Sequence, residues 1–290
     1  MQNNTKINVN SQLRSSLVDY INNIKIIQKD NYKVAIIDAD SIIYATAVDK
    51  KQTDEQIEQY GNQIERTLDN VINEFNIHFT NILMNSGCIY YVALLTGGSH
   101  RYSLYTEYKA NRKKLEKPKY LKELTNYCIS NWNFIKMEGF EADDLVNVAN
   151  NYFKTQNIST VLVHTDKDLN QIEGTHYNYK SNDFYEVDSS EAFYSLWTQV
   201  IVGDSIDNIK GLKGKGIAFA YKLLLNLDDN ASMRTVVLDA YTDVLGEQLG
   251  INEFALNYNL VKLLDNIKDV EIFILTKIEE IINFEVSLNI

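Results

Sequence analysis

Carboxylates recur in this chain at spacings that suit a hard metal ion. Glu141-Ala-Asp143-Asp144, Asp166-Lys-Asp168 and Asp204-Ser-Ile-Asp207 form three acidic clusters, and Asp38 closes the apolar run Val34-Ala-Ile-Ile37. Oxygen donors of this kind are what Mg²⁺ takes, and a bound ion can bridge the attacking and leaving oxygens of a phosphodiester. The last cluster runs directly into Gly211-Leu-Lys-Gly214-Lys-Gly216. Glycines permit tight turns, and amides exposed at a helix start bind anions. Carboxylates set beside phosphate-binding backbone point to a metal-dependent phosphodiesterase.

Each cluster also has a plain structural reading. Acids at the start of a helix favour its dipole, and Asp pairs are common in turns. Three acids in four residues exceed what capping needs. Glu141 and Asp144 fall on nearly one helical face with Asp143 flanking them, and two like charges ~4 Å apart repel by roughly 4 kcal/mol at an effective dielectric near 20. A cation would relieve that repulsion. Asp40 has no separate task in this pattern and reads as structural. His78, His100, His164 and His176 are scattered without ligand spacing and read as structural or surface residues.

The net charge of -11 speaks against a polyanionic partner until its distribution is considered. Residues 223–290 hold twelve acids and four bases, which leaves the first 222 residues at only -3, with eight of their acids in the groups already named. Residues 101–122 carry eight bases, including Arg101, Lys109, Arg112 and Lys113, against Glu107 and Glu116. There Tyr105 and Tyr108 interleave with the bases, as groups that stack on nucleobases and grip phosphates would. Residues 208–222 add four lysines and no acid. Tyr108, Lys113, Lys213, Gly214, Lys215 and Gly216 are the expected DNA contacts.

The elements that must carry these residues show in the hydrophobic pattern. Val34–Ile37, Ile89–Leu95 and Thr160–Val163 are short, β-branched or aromatic runs, as in buried parallel strands. Helical stretches over Asp54–Asn81 and Asp143–Lys154 separate them, which predicts an α/β fold with a central, mostly parallel sheet. Polar residues follow each strand at once, so they should converge at the carboxyl ends, where open α/β sheets bind ligands. Helices are expected near Leu17–Ile27 and, beyond Ser190, over Ala192–Val202, Ile217–Leu225, Glu253–Asp265 and Val270–Ile282. Cys88 and Cys128 lie in unrelated segments, which suits a reducing compartment. No apolar stretch is long enough to span a bilayer. A soluble cytoplasmic chain without a membrane partner is expected.

Ile36-Ile-Asp-Ala-Asp40, Glu107-Tyr-Lys-Ala-Asn-Arg112, Glu141-Ala-Asp-Asp144, Thr165-Asp-Lys-Asp168 and the 203–216 segment resemble, in that order, the motifs of the flap endonuclease and 5′-3′ exonuclease family. The resemblance covers about residues 33–225 and is nearest to phage-encoded members, including phage ribonuclease H, which would place the chain in a host cytoplasm. It implies a PIN-like core within residues 31–225, a helical arch at 105–135, a helix-three-turn-helix element at 196–225, an extension at 1–30 and a helical region at 226–290. It also implies two Mg²⁺ or Mn²⁺ ions and a K⁺ ion in the 208–216 turn. By position, Asp38, Glu141, Asp143, Asp144, Asp166, Asp168, Asp204 and Asp207 match the metal-ligating acids. Lys109 and Arg112 match the bases that engage the scissile phosphate. Where many members carry an aspartate after the second strand, this chain has Leu95-Thr96-Gly97-Gly98, so one outer ligand is missing or is replaced by Thr96 or water.

The expected function is metal-dependent 5′-3′ exonuclease or flap endonuclease action on DNA with a 5′ end or flap, with RNA–DNA hybrids as a further substrate, replication proteins as partners, and a monomeric chain. Two alternatives stand beside it. Asp38-Ala-Asp40 resembles the D-x-D of haloacid-dehalogenase-type phosphatases, and a DNA-binding scaffold without catalysis would need fewer carboxylates.

Overall fold

The computed structural model describes residues 32–48, 66–88, 90–114 and 116–266. In chain order the elements are β1 (Val34–Asp38), α1 (Asp40–Ala47), α2 (Leu68–Ser86), β2 (Tyr90–Gly97), α3 (Arg101–Leu104), a 3-10 turn (Ala110–Lys114) and α4 (Leu121–Asn131). There follow β3 (Ile135–Glu138), α5 (Ala142–Thr155), β4 (Thr160–His164), a second 3-10 turn (Lys167–Gln171), β5 (Gly174–Asn178) and β6 (Asp183–Val187). Four helices complete the described chain: α6 (Ser189–Val202), α7 (Ile217–Leu224), α8 (Asn230–Leu245) and α9 (Glu247–Val261). The extension at 1–30, the first part of the Asp54–Asn81 helix and the Val270–Ile282 helix lie outside the described residues.

The sheet order is β3-β2-β1-β4-β5-β6, parallel throughout except where β6 returns antiparallel to β5. Successive side chains of a strand point to opposite faces. Accordingly Val34, Ile36, Val92, Leu94 and Leu162 pack with Leu145, Ala149 and Phe153 of α5. Ala35, Ile37, Ala93, Leu95 and Val163 pack on the other face with α1, α2 and α4. Burial on both faces is why the central strands read as continuous apolar runs. The chain leaves β1 toward β2 on one side and returns through α5 to β4 on the other. The carboxyl ends of β1 and β4 therefore flank the reversal of strand order, where a crevice forms.

Three differences from the sequence reading have physical causes. Within the stretch expected to form an arch, 105–135, α4 buries Leu124 and Cys128 against α1 and α2, so this part belongs to the body of the fold. Within the region expected to be helical at 226–290, the helix over Asn230–Leu245 was not singled out, and the last described helix runs over Glu247–Val261 rather than Glu253–Asp265. At its end Lys262 turns extended, and Arg101 takes the carbonyls of Leu260 and Lys262 at 2.8 and 2.9 Å. The four last helices share one core, in which Leu196, Trp197 and Leu224 meet Met233, Val237 and Tyr241 across residue 226.

Candidate active site

β1 delivers Asp38 to the crevice, α5 delivers Asp143 from its first turn, and the turn after β4 delivers Asp166 and Asp168. Asp38, at the end of a fully buried strand, is pushed up to about 8, first by desolvation and then by Asp40 and Asp166. Asp143 is held well above the ordinary carboxylate range, again by burial first and then by Asp38 and Asp166. Asp168 is pushed up to about 7 by burial, Asp166 and Asp204. Asp38 thus raises the proton affinity of Asp143 from 105 positions away, and Asp166 raises that of both. Among the described residues, no lysine or arginine is ion-paired with any of these four. A narrow cleft continues from Asp143 and Asp168 to Tyr108, Glu141, Asp204 and Asp207.

The other half of the acids is neutralised by bases. Asp144, fully buried, forms a two-pronged pair with the Arg101 guanidinium at 2.6 and 2.9 Å and accepts the Leu264 amide at 3.0 Å. As it stands, both of its oxygens are committed to protein donors. Glu141 accepts from Arg101 at 2.8 Å, from the Tyr108 hydroxyl at 2.9 Å and from Lys109. Burial alone would raise the Glu141 carboxyl, but Lys109 and Arg101 outweigh it and hold it below the ordinary range. Asp207 pairs with Arg112 and lies 3.5 Å from Lys109. Burial opposes the charge on Lys109, yet Glu141 and Asp207 raise its pKa. Lys109 and Arg112 therefore stand at the rim of the acidic crevice.

Several assignments change in detail. Tyr108 is 2% exposed, with its hydroxyl given to Glu141 and Asp207, so it cannot stack on a base as expected. Asp204 accepts the amides of Ile206 and Asp207 at 2.6 and 3.1 Å, and so shapes its own turn beside the cleft. Asp40 accepts the Thr96 amide at 3.1 Å, and the Thr96 hydroxyl in turn accepts the Ala142 amide at 3.0 Å. Thr96 thus clips α1, β2 and α5 together, with its hydroxyl engaged in that clip. The same bond turns Asp40 away from a D-x-D arrangement with Asp38. Arg101, which the sequence reading counted only as one more base, organises half of the site. His164 and His176 are buried and joined at 2.7 Å, and His164 also meets the Asp166 carbonyl at 2.7 Å.

The glycine turn joins α6 to α7. Gly203 and Gly211 lie back to back at φ 73° and 63°, where a Cβ added to either would meet the other's amide nitrogen at 2.5–2.6 Å, so no larger residue fits. Lys213, Gly214 and Gly216 are exposed, and the Lys215 amine lies over the Phe219 ring at 4.5 Å. Gly216 precedes the first turn of α7, as expected. The Lys113 side chain lies outside the described set.

An oxygen-only donor set that is largely desolvated and self-repelling, with Asp166 at its exposed edge, fits a hard divalent cation. Asp38, Asp143, Asp166 and Asp168 are the residues free to hold one. As they stand, no three acidic or histidine side chains among the described residues close around a single point. Like charges without an ion between them separate or turn to other donors, as Asp168 does toward the Gln199 amide.

The fold and site define an α/β protein with an acidic crevice at the switch point of its sheet, edged by bases and a glycine turn. The family described as 5′-3′ exonuclease, N-terminal resolvase-like domain, matches residues 33–197, and the chain belongs to that family. It is 33% identical to the 5′-3′ exonuclease of Mycoplasmopsis pulmonis, over 45% of this chain and 48% of that one. It is 34% identical to DNA polymerase I of Caldicellulosiruptor bescii, over 44% of this chain and 17% of that one. The chain thus spans less than half the length of these curated relatives. In fold it is similar to the flap endonuclease of bacteriophage T5 in complex with DNA and metal ions, with a TM-score of 0.62 and 17% identity, covering 86% of this chain and 97% of that one. A T5 5′-exonuclease with bound zinc ions gives a TM-score of 0.60 at 17% identity, covering 86% and 99%.

Proposed function

We propose that this chain is a divalent-metal-dependent 5′ nuclease that hydrolyses phosphodiester bonds near the 5′ ends or flaps of DNA. The observation that carries this reading is that Asp38 and Asp143, desolvated and brought together from two elements, lie with Asp166 of a third in one acidic group that no lysine or arginine pairs, beside Lys109. Family membership supports it, and so does the likeness in fold to a flap endonuclease whose structure holds DNA and metal ions.

Asp38, Asp143, Asp166 and Asp168 would hold Mg²⁺ or Mn²⁺, with room for a second ion once Glu141 exchanges Lys109 for metal. A cation held there supplies an acidified water and charge neutralisation of the phosphate. The chain's own residues do the rest. Lys109 and Arg112, drawn from Glu141 and Asp207 toward an arriving phosphate, place positive charge where negative charge develops. The exposed Lys213 and the amides of Gly214 and Gly216 hold the backbone of the duplex arm, which orients the substrate without reading bases. Within the same reading, the 208–216 turn holds K⁺, RNA in RNA–DNA hybrids is a further substrate, and the chain works as a monomer alongside replication proteins in the cytoplasm. Among the described residues, no helix is long and apolar enough to cross a membrane.

The test is cleavage of 5′-labelled flap, nicked and hybrid substrates with and without Mg²⁺. Wild type should shorten strands only with metal, and Asp143→Asn should lose cleavage while still binding DNA in EDTA. Release of inorganic phosphate alone would favour a phosphatase, and DNA retardation without cutting a scaffold.

A further inference from the structure

Lys109 stands in an unusual backbone conformation. Its φ is 53°, in the left-handed region that costs a residue with a Cβ roughly 1–2 kcal/mol. Such a conformation persists where the surroundings over-determine it, and at active sites it is often part of the device. The surroundings here are the 204–208 turn. The Lys109 amide donates to the Asp207 carbonyl at 2.9 Å. The Asn208 side-chain amide donates to the Glu107 carbonyl at 2.8 Å, and the Asn111 amide donates to the Ser205 carbonyl at 2.8 Å. Three bonds thus zip the segment on either side of Lys109 to one turn.

That turn is a firm support. Asp204 and Ile209 exchange backbone bonds at 2.9 and 2.7 Å, Asp204 caps the amides between them, and Gly203 and Gly211 lock its base. Asn208 is itself left-handed, at φ 59°, a region Asn enters more readily than most residues. Its side chain is thereby aimed across to Glu107. The sequence pattern had assigned no task to either asparagine.

We propose that Asn208, aided by Asn111, is a positioning residue whose bond to the Glu107 carbonyl keeps Lys109 left-handed and its amine directed into the acidic crevice. Without that bond, the 107–111 segment relaxes from the turn and Lys109 returns to an ordinary conformation, away from Glu141. The same turn continues into Lys210, Lys213 and Lys215, so the group that orients the substrate and the surface that grips its duplex share one support. The cleavage arm of the test rests on the nuclease reading; the labelling arm does not.

The variant is Asn208→Gly, because glycine keeps the left-handed backbone while removing the amide. On metal-free protein, acylation of the Lys109 amine, followed by peptide mass spectrometry, should accelerate about tenfold as its hydrogen-bonded placement is lost. Single-turnover cleavage of a 5′-flap DNA should fall about tenfold with affinity held within about twofold, and in a Lys109→Ala background Asn208→Gly should cause no further loss. Asn111→Ala should move the labelling in the same direction, and it decides the matter if Asn208→Gly does not fold. Unchanged Lys109 labelling, or an equal loss of cleavage with and without Lys109, would overturn the proposal. If the wild-type chain cuts nothing, the nuclease reading falls and the labelling alone still judges Asn208.

Discussion

Arg101 offers the sharpest test of how the site is balanced. The side chain is 3% exposed, and its five donors go to Asp144, Glu141 and the carbonyls of Leu260 and Lys262. Burial opposes its charge, yet Asp144 and Glu141 more than restore it, so its pKa is raised. Arg101→Met keeps most of the volume and removes the charge. Asp144, with no exposed surface, is then a buried carboxylate without a counter-ion, and breaking such a pair costs about 3–5 kcal/mol. Domains of this kind have only about 5–15 kcal/mol in total, so the variant should unfold at markedly lower urea concentration. The control is Arg101→Met with Asp144→Asn, which removes the stranded charge but leaves an oxygen for the Leu264 amide. The double variant should be more stable than the single one by about 1–3 kcal/mol. Urea titrations followed by circular dichroism give both numbers. A single-variant loss under about 1 kcal/mol, or a double variant no better than the single, would refute the view that Arg101 neutralises Asp144.

Three other outcomes are expected. Folding of the metal-free chain takes up protons at Asp38, Asp143 and Asp168, whose folded pKa values lie above their unfolded ones. That stabilisation is complete at acid pH and is lost as pH rises through about 7 to 8. His164 and His176 are held low by burial and shift stability in the opposite sense only below the ordinary histidine range. The melting temperature should therefore fall from about pH 6.5 to 9, with Mg²⁺ flattening the curve, and a rise across that window would contradict the assignment. Replacing both Lys213 and Lys215 by Ala should reduce the salt dependence of DNA binding by about two log units per log unit at most, and an unchanged slope would mark the turn as structural. Lys109→Ala should slow single-turnover cleavage by roughly 10²-fold with little change in affinity; an equal fall in affinity would make Lys109 a DNA-holding residue only.

The amino-acid sequence by itself determined which residue types stand at the ends of the central strands. β1, β2 and β4 are buried on both faces, so their runs are continuous and apolar, and the residues that close them are visible as soon as the runs end. The 203–216 turn was equally legible, since back-to-back glycines leave a local mark. The edge strands were not. β3 reads Ile-Lys-Met-Glu, and β5 hides a buried histidine, His176, that looks polar until it is seen paired with His164. α8 places Met233, Val237 and Tyr241 on one face, a pattern diluted by the polar residues between them. Within the site, acids could be counted but not told apart. Asp143 and Asp144 are neighbours, yet one faces Asp38 and Asp166 while the other meets Arg101, 43 positions earlier. Tyr108 looked like a stacking aromatic and is instead a buried donor to Glu141, 33 positions later. A charge is written in its own codon, but the charge that cancels it is chosen by packing between distant segments, and only the tertiary structure decides which carboxylates are left without a partner.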